Sequence, residues 1–397
     1  MGELFLPGPR ADRSARAFNE PLYAFVDRSG QPFFAEIRRL LIEWLSHVPP
    51  PDPTDLRRRL QSKDDALFES AFWEVFLHEA YLRSGYSITI HPAVTGTSRR
   101  PDFLVEGDGT RFYVEAVRAC APPDRTGQAR RLEEVRRVLA TVSADRYILD
   151  MATYAIGARP LDVRGLRRDL RKWLSDLDGQ AGGLRAGEGS RALARLSWRH
   201  EGGWRLEFTA QPIRSDHVGA GLPLVRAHLS MGWAHDASRI LTALDHKANR
   251  YGVLDAPLLI AVLNNPEFHA DDLDVERALF GAMIDRRPGP EPPKPGQLIE
   301  SGHWCTGKGW RRGHIPHVIV AQDLYPWTVT LAQSRLWTTL EPEICPPAQP
   351  GWLVPVQVSG PAPALGPADS LADLFGLSAD WLAEEPRFAA SRRTAAL

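Results

Sequence analysis

The stretch from Arg99 to Val117 limits the possible folds of this chain more than any other part of the sequence. It contains two runs of β-branched and aromatic residues, and the pair Asp108-Gly109 separates them, in the order RRPDFLVEGDGTRFYVEAV. Such runs around Asp-Gly are a strong signal for a β-hairpin with a two-residue loop. With that loop, Gly107 faces Thr110, and the same register places residue 102 directly opposite residue 115.

The predicted register brings two acidic side chains together, Asp102 and Glu115. Facing residues of an antiparallel pair have Cβ atoms about 4.5–5.5 Å apart, and like charges at that distance destabilise the hairpin. A bound cation would remove this repulsion, and Mg²⁺ is usually held by one or two carboxylates. The hairpin therefore predicts a metal site. The alternative is that these are two of the scattered acids that exposed hairpins often carry, with no bound metal.

The motif resembles that of the PD-(D/E)xK superfamily of restriction-endonuclease-like nucleases, through Pro101-Asp102, a short hairpin and Glu115-Ala116-Val117. The resemblance covers residues 64–117 and departs at Val117, where that family has lysine. It implies an α/β fold with an αβββαβ core, in which helices flank a central mixed sheet. It also implies Mg²⁺- or Mn²⁺-dependent hydrolysis of DNA, with Asp102, Glu115 and the carbonyl group of Ala116 as metal ligands.

A helix is predicted over residues 64–83, with one apolar stripe when residues are placed at 100° steps. Glu74 and Glu79 border this stripe, whereas Glu69 is predicted to project away from it. The resemblance implies that an acid on this helix joins the metal site, and Glu74 fits that placement best, with Glu79 as the reserve. The alternative is that both acids flank a buried stripe and reach water. The stripe consists of Leu67, Phe68, Ala71, Val75, His78 and Leu82.

A second helix, predicted over residues 236–251, carries Lys247 inside its apolar stripe, between Leu244 and Tyr251. Lysine is rarely buried without a partner. Some members of the resembled superfamily carry the catalytic lysine on a neighbouring helix, which makes Lys247 the candidate for the lysine that Val117 does not supply. The alternative is a lysine at the edge of the stripe, with a packed stem and an ammonium group in water.

Binding to nucleic acid must come from local patches, because the formal net charge of the whole chain is −1. Arg99 and Arg100 immediately precede the hairpin and are candidates for contact with phosphates. A basic helix predicted over residues 161–177 offers further candidates, and its alternative is the solvated face of an amphipathic helix. The candidates on that helix are Arg164, Arg168 and Arg171.

The element pattern divides the chain into a core and additions to it. A nearly continuous apolar run over residues 256–263 predicts a strand buried on both faces. Residues 23–26 are predicted as a short strand, and residues 371–382 as an amphipathic helix that docks on this chain, on a second copy or on a partner protein. The predicted parts are an N-terminal helical extension (1–63), a nuclease-like core (64–119 and 236–340), an inserted α+β subdomain (120–235) and a C-terminal extension (341–397).

The three widely spaced cysteines argue against a disulfide framework and predict a reducing, cytoplasmic location. The chain has no run of 18 uncharged apolar residues, and its N-terminus lacks the layout of a signal peptide, so no membrane association is expected. Two functions remain open. One is a metal-dependent endonuclease acting on DNA, in bacterial defence or repair, and the other is a catalytically silent nuclease fold that binds nucleic acid or scaffolds a complex.

Overall fold

The chain divides into two compact units, which are described separately. One unit comprises Met1–Arg13, Pro21–Cys120 and Ala234–Leu397, and the other comprises Ser14–Glu20 and Ala121–Trp233. The computed structural model describes residues 3–13, 20–50, 53–119, 131, 134–135, 138–139, 142, 147–180, 194–212, 225–228, 235–248, 250–265, 272–283, 298–306, 309–310, 315–339, 349–357, 364–377 and 381.

The helices are, in chain order, α1 (Leu22–Arg28), α2 (Pro32–Ser46), α3 (Pro53–Leu60), α4 (Asp65–Arg83), α5 (Val163–Gln180), α6 (His235–Ala248), α7 (Asp272–Phe280) and α8 (Leu371–Phe375). The strands are β1 (Ser87–Ile90), β2 (Phe103–Gly107), β3 (Thr110–Arg118), β4 (Tyr147–Ala155), β5 (Ala194–His200), β6 (Trp204–Pro212), β7 (Val225–His228), β8 (Leu258–Asn264), β9 (Ala282–Met283), β10 (Leu298–Glu300), β11 (Cys305–Thr306), β12 (Gly309–Trp310), β13 (His317–Gln322), β14 (Ser334–Thr338), β15 (Val354–Gln357) and β16 (Ala364–Leu365). None of the described helices is long and apolar enough to cross a membrane.

A mixed sheet forms the centre of the first unit, with its described strands in the order β1-β2-β3-β8-β13-β14-β15-β16. The inner strands β3, β8 and β13 are parallel, and β1 to β3 form an antiparallel meander. Every residue of β8 is buried, as its continuous apolar run predicts. Helices α2 and α4 pack in the core on one face, and α6 and α7 pack in the core on the other. The predicted α/β class, with helices flanking a central mixed sheet, is confirmed.

Helix α4 is buried on nearly all sides, not along one stripe. The indole of Trp73 donates a hydrogen bond of 2.9 Å to the carbonyl oxygen of Ala261, in the middle of β8. The prediction that Glu69 projects away is wrong, because its carboxylate is buried and pairs with Arg118 at the end of β3. The stripe analysis fails here because the sheet covers one side of α4 while terminal segments of the chain cover others.

The two terminal segments of the first unit pack on α4. Residues 23–26 belong to α1, so the predicted strand there is wrong. Helix α8 ends at Gly376, which has a φ of +63°, and the rest of the amphipathic segment, apart from Leu377 and Trp381, lies outside the described residues. The ring of Phe375 lies 4.6 Å from that of Trp44 and 5.6 Å from that of Phe76. The described part of this segment therefore docks on its own chain.

The second unit contains a sheet in the order β5-β6-β4-β7, and helix α5 contributes to the same hydrophobic core. The buried side of α5 carries leucines at helical spacing, namely Leu166, Leu170 and Leu174. The opposite side is exposed and basic, as expected of an amphipathic helix.

Candidate functional site

The hairpin has the predicted register, in which Gly107 faces Thr110 and Phe103 faces Val114. The loop residues Asp108 and Gly109 have φ values of +54° and +71°. Positive φ at both positions is the requirement of a type I′ hairpin turn, and it explains why the Asp-Gly pair sets this register. Asp102 immediately precedes β2 and is therefore level with Glu115 on β3.

Glu115 is almost completely buried, and two side chains supplied by α6 and the residues after it hold its carboxylate. The ammonium group of Lys247 donates to Oε1, and the phenol of Tyr251 donates to Oε2. The guanidinium of Arg250 lies 3.5 Å from Oε1. The Lys247 side chain is only 15% exposed and Glu115 is 1% exposed, so each supplies the partner that the other needs in the core. The positive charge beside the carboxylates comes from α6 and not from position 117.

Asp102 is held by one main-chain contact, because its Oδ2 accepts a hydrogen bond of 2.7 Å from the N–H of Ala116. Burial raises the pKa of the Asp102 carboxyl group well above its ordinary value, and the negative charges of Glu115 and Glu74 raise this pKa further. Lys247 and the Ala116 N–H act in the opposite direction without cancelling the rise. Additional positive charge beside Asp102 would therefore stabilise its ionised form.

Glu74 lies on the other side of Asp102, and both line a small cavity of about 10 Å³. This volume is close to the minimum that one water molecule occupies. Both oxygens of Glu74 accept hydrogen bonds from Arg59 of α3, each of 2.6 Å. Arg59 also donates to Asp55, at 2.7 Å, and the carboxylates raise its pKa. Glu74 is thus close to Asp102 but is held by α3.

His91 lines the same cavity from the end of β1. Its backbone N–H donates a hydrogen bond of 3.0 Å to the carbonyl oxygen of Asp102, and its φ is +47°. A left-handed φ is uncommon for residues other than glycine, although histidine tolerates it better than most. The turn at His91 therefore fixes the backbone of Asp102 at a small cost in strain.

Glu79, the reserve acid of α4, lies outside this group. Its carboxylate is fully buried and pairs with Arg83 one helical turn later. It also lies 2.8 Å from Nδ1 of His47 on the C-terminal side of α2. The contact between Glu79 and His47 links α4 to the end of α2.

The candidate nucleic-acid contacts lie on exposed surfaces. Arg99 and Arg100 belong to the loop before the hairpin, and the Tyr251 hydroxyl lies 3.3 Å from the carbonyl oxygen of Arg100. In the second unit, Arg164, Arg168 and Arg171 are exposed on α5. Arg168 also pairs with Asp169 at 2.9 Å. The loop that carries Arg99 and Arg100 is thus in contact with Tyr251, which holds Glu115.

Four residues of the site were not predicted from the sequence, namely Tyr251, Arg250, Arg59 and His91. Tyr251 was assigned to an apolar stripe, but its phenol is also a polar group that needs a partner when buried. Its spacing of four residues from Lys247 is the signal that links both to one carboxylate. Arg59 and His91 gave no comparable signal, because they reach the site through tertiary packing.

Comparison of the chain with protein-family models, with curated proteins and with solved structures finds no match. Among the described residues, no three His, Cys, Asp or Glu side chains form a group that could hold a metal ion unaided. The carboxylate oxygens of Asp102 and of its neighbours Glu115 and Glu74 are ligands of the type that a hard divalent cation prefers. Burial first, and then the charges of Glu115 and Glu74, raise the pKa of Asp102, and a bound cation would counter this rise.

Proposed function

We propose that this chain is a metal-dependent nuclease that hydrolyses DNA phosphodiester bonds. The observation that carries the proposal is the ion pair of Lys247 with Glu115, next to Asp102. Two acids and a lysine thereby meet at the end of a hairpin, although the lysine is supplied by α6. Asp102 adds to this support, because an acid that borders a cavity and whose pKa is raised by burial and by neighbouring charges is a candidate functional residue.

The proposal includes a finer description of the fold. The order α4-β1-β2-β3-α6-β8 corresponds to the αβββαβ core of restriction-endonuclease-like proteins, and the second unit enters the chain between β3 and α6. The parallel pairing of β3 with β8 supports this correspondence. A cytoplasmic enzyme of bacterial defence or repair is the context that we propose for it.

Asp102, Glu115 and the carbonyl group of Ala116 would hold Mg²⁺ or Mn²⁺, and Glu74 would join them if Arg59 released it. When bound, such an ion lowers the pKa of a water molecule and offsets charge on the phosphoryl group. The N–H of Ala116 orients Asp102, and Tyr251 orients Glu115. Lys247 supplies positive charge where charge develops on the phosphate, and Arg99 and Arg100 contact the flanking DNA backbone.

The test is cleavage of plasmid and single-stranded DNA with Mg²⁺ or Mn²⁺ by the wild type and by Asp102→Asn. We expect the variant to lose activity by about a hundredfold or more, the scale of losing one group that stabilises charge in a transition state. Glu106→Gln is the matched control, because Glu106 is an exposed acid of the same hairpin, paired with Arg111 at 3.2 Å. Equal cleavage by the wild type and Asp102→Asn would exclude this site.

A second function is favoured by a different observation, namely that Glu115 and Glu74 already have cationic partners within the protein. A catalytically silent protein of this fold, which binds nucleic acid or scaffolds a complex, needs no metal. Calorimetric titration with Mn²⁺ separates the two functions. Metal binding that Glu115→Gln abolishes supports the nuclease, whereas DNA binding without metal binding or cleavage supports the silent protein.

A further inference from the structure

A groove of about 710 Å³ lies between the N-terminal segment 3–10 and helix α2, and it shares no lining residue with the candidate nuclease site. Small-molecule pockets commonly have volumes of about 300–1,000 Å³. Helix α2 lines the groove with residues at helical spacing over roughly 16 Å of its length. These residues are Ala35, Arg38, Arg39, Ile42, Leu45 and Ser46.

The wall opposite α2 is held in place by hydrogen bonds from other elements. The carbonyl oxygen of Leu4 accepts from the hydroxyl of Tyr23, at 2.9 Å, and from the side chain of Gln61, at 3.0 Å. The N–H of Leu6 donates to Asp27 at 3.2 Å. The groove is therefore formed before any ligand enters, which reduces the entropy that binding would cost.

The groove exposes apolar side chains that a folded protein normally covers. Leu6 is 69% exposed and Ile42 is 50% exposed, and both line the groove. Leu4 and Leu45 form buried parts of the same lining. An apolar chain laid along α2 would remove these surfaces from water, which is favourable in proportion to the area covered.

The polar part of the lining is mainly cationic, with four arginines and one acid, Glu3. Arg10 pairs with Asp27, and Arg39 pairs with Glu36 and Glu43. Arg38 donates to the backbone carbonyl oxygens of Val26, Asp27 and Ser29. Arg57 of α3 differs from these, because the described residues offer it no carboxylate and its buried Nε has no hydrogen-bond partner among them. Arg57 lines the groove with a charge that no carboxylate of the described residues neutralises, and an anionic head group would supply that partner.

We propose that this groove binds a small amphiphilic anion, with an apolar chain along Leu6 and Ile42 and an acidic head group at Arg57. An acyl chain that ends in a carboxylate or a phosphate has this chemistry. The volume of the groove lies within the range of pockets that hold one small molecule, so we propose a free ligand as its occupant. The proposal is independent of the nuclease reaction.

Calorimetric titration of the full chain tests the proposal, with dodecanoate and dodecyl phosphate below their micelle concentrations. Dodecyltrimethylammonium has the same chain with a cationic head, and butyrate has the same head without the chain. We expect both twelve-carbon anions to bind and to bind at least tenfold more tightly than either control. Equal binding of the cationic amphiphile, or no binding of either anion at millimolar concentration, would overturn the proposal.

Two pairs of variants locate the ligand. Arg57→Gln should weaken dodecanoate binding by about ten- to a hundredfold, the value of a charge-assisted hydrogen bond. Arg58→Gln should change it less than twofold, because Arg58 lies on the same helix but pairs with Asp55 in solvent. Ile42→Asp should weaken binding, whereas Leu331→Asp, at a site that is also 50% exposed but outside the lining, should not.

Circular dichroism and thermal unfolding establish that each variant is folded. Equal weakening by Arg57→Gln and Arg58→Gln in folded proteins would contradict a head-group site at Arg57. Vesicles of phosphatidylglycerol distinguish a membrane surface from a free ligand. Sedimentation of the protein with these vesicles, without binding of soluble dodecanoate, would replace the proposed pocket by a membrane-binding surface.

Discussion

Two acids, Glu115 and Glu74, flank Asp102, and they differ in how the protein neutralises their charge. On one side, Glu115 is almost completely buried and is held by Lys247 and Tyr251. On the other side, Glu74 is 14% exposed and borders a cavity, and Arg59 is the cation that holds it among the residues described. The first pair is a fixed part of the core, since a buried charge cannot lose its partner cheaply. Because the acid of the second pair is less buried, we expect water or an ion to replace Arg59 more readily than Lys247.

The largest effect is expected on the Glu115 side. Lys247→Met should lower the free energy of unfolding by about 3–5 kcal/mol, because it removes the nearest cation from a buried carboxylate and leaves only the more exposed Arg250, at 3.5 Å. The double variant Lys247→Met, Glu115→Gln should recover much of this loss. Urea denaturation of the three proteins measures both effects, and a loss below 1 kcal/mol in the single variant would show that the pair is not part of the core.

A smaller loss is expected on the Glu74 side. Arg59→Gln should lower the free energy of unfolding by about 1–2 kcal/mol, between the values of an exposed ion pair and of a buried charge-assisted hydrogen bond. It should also tighten Mn²⁺ binding, because Glu74 is released to face Asp102. Calorimetry and urea denaturation measure the two changes separately. Weaker metal binding in a folded Arg59→Gln protein would contradict an exchangeable Glu74.

The smallest effect is a pH dependence at Asp102 itself. The folded state raises the pKa of this carboxyl group, so it retains a proton that the unfolded chain has already lost. The contribution of Asp102 to stability should therefore fall as pH rises from its unfolded pKa of about 3.9 to its folded pKa. The stability of Asp102→Asn relative to the wild type should increase across that range. A constant difference from pH 4 to pH 8 would contradict the raised pKa.

The sequence predicts the parts of this site that depend on local pattern. Asp108-Gly109 sets the hairpin register, and the register alone places Asp102 level with Glu115. The position of Lys247 within an apolar stripe identifies it as a lysine that needs a buried acid. These predictions succeed because turn geometry and helical periodicity are properties of a few consecutive residues.

Other parts of the site could not be predicted, because they depend on contacts between distant elements. Nothing in the sequence around Arg59 indicates that it binds Glu74, and nothing around Glu69 indicates its pair with Arg118. The short strand predicted at residues 23–26 is helical, since packing of α1 against α2 and α4 overrides a weak local preference for strand. Periodicity predicts which residues are buried, but not which residues of other elements they contact.

The separation of Glu115 from Lys247 along the chain has a consequence for biosynthesis. The two residues are 132 positions apart, so the hairpin leaves the ribosome long before its ammonium partner is made. During that interval the charged acid has no Lys247 beside it, so we expect it to stay in water. Completion of α6 is therefore the step that allows the nascent hairpin to become part of a dry interior.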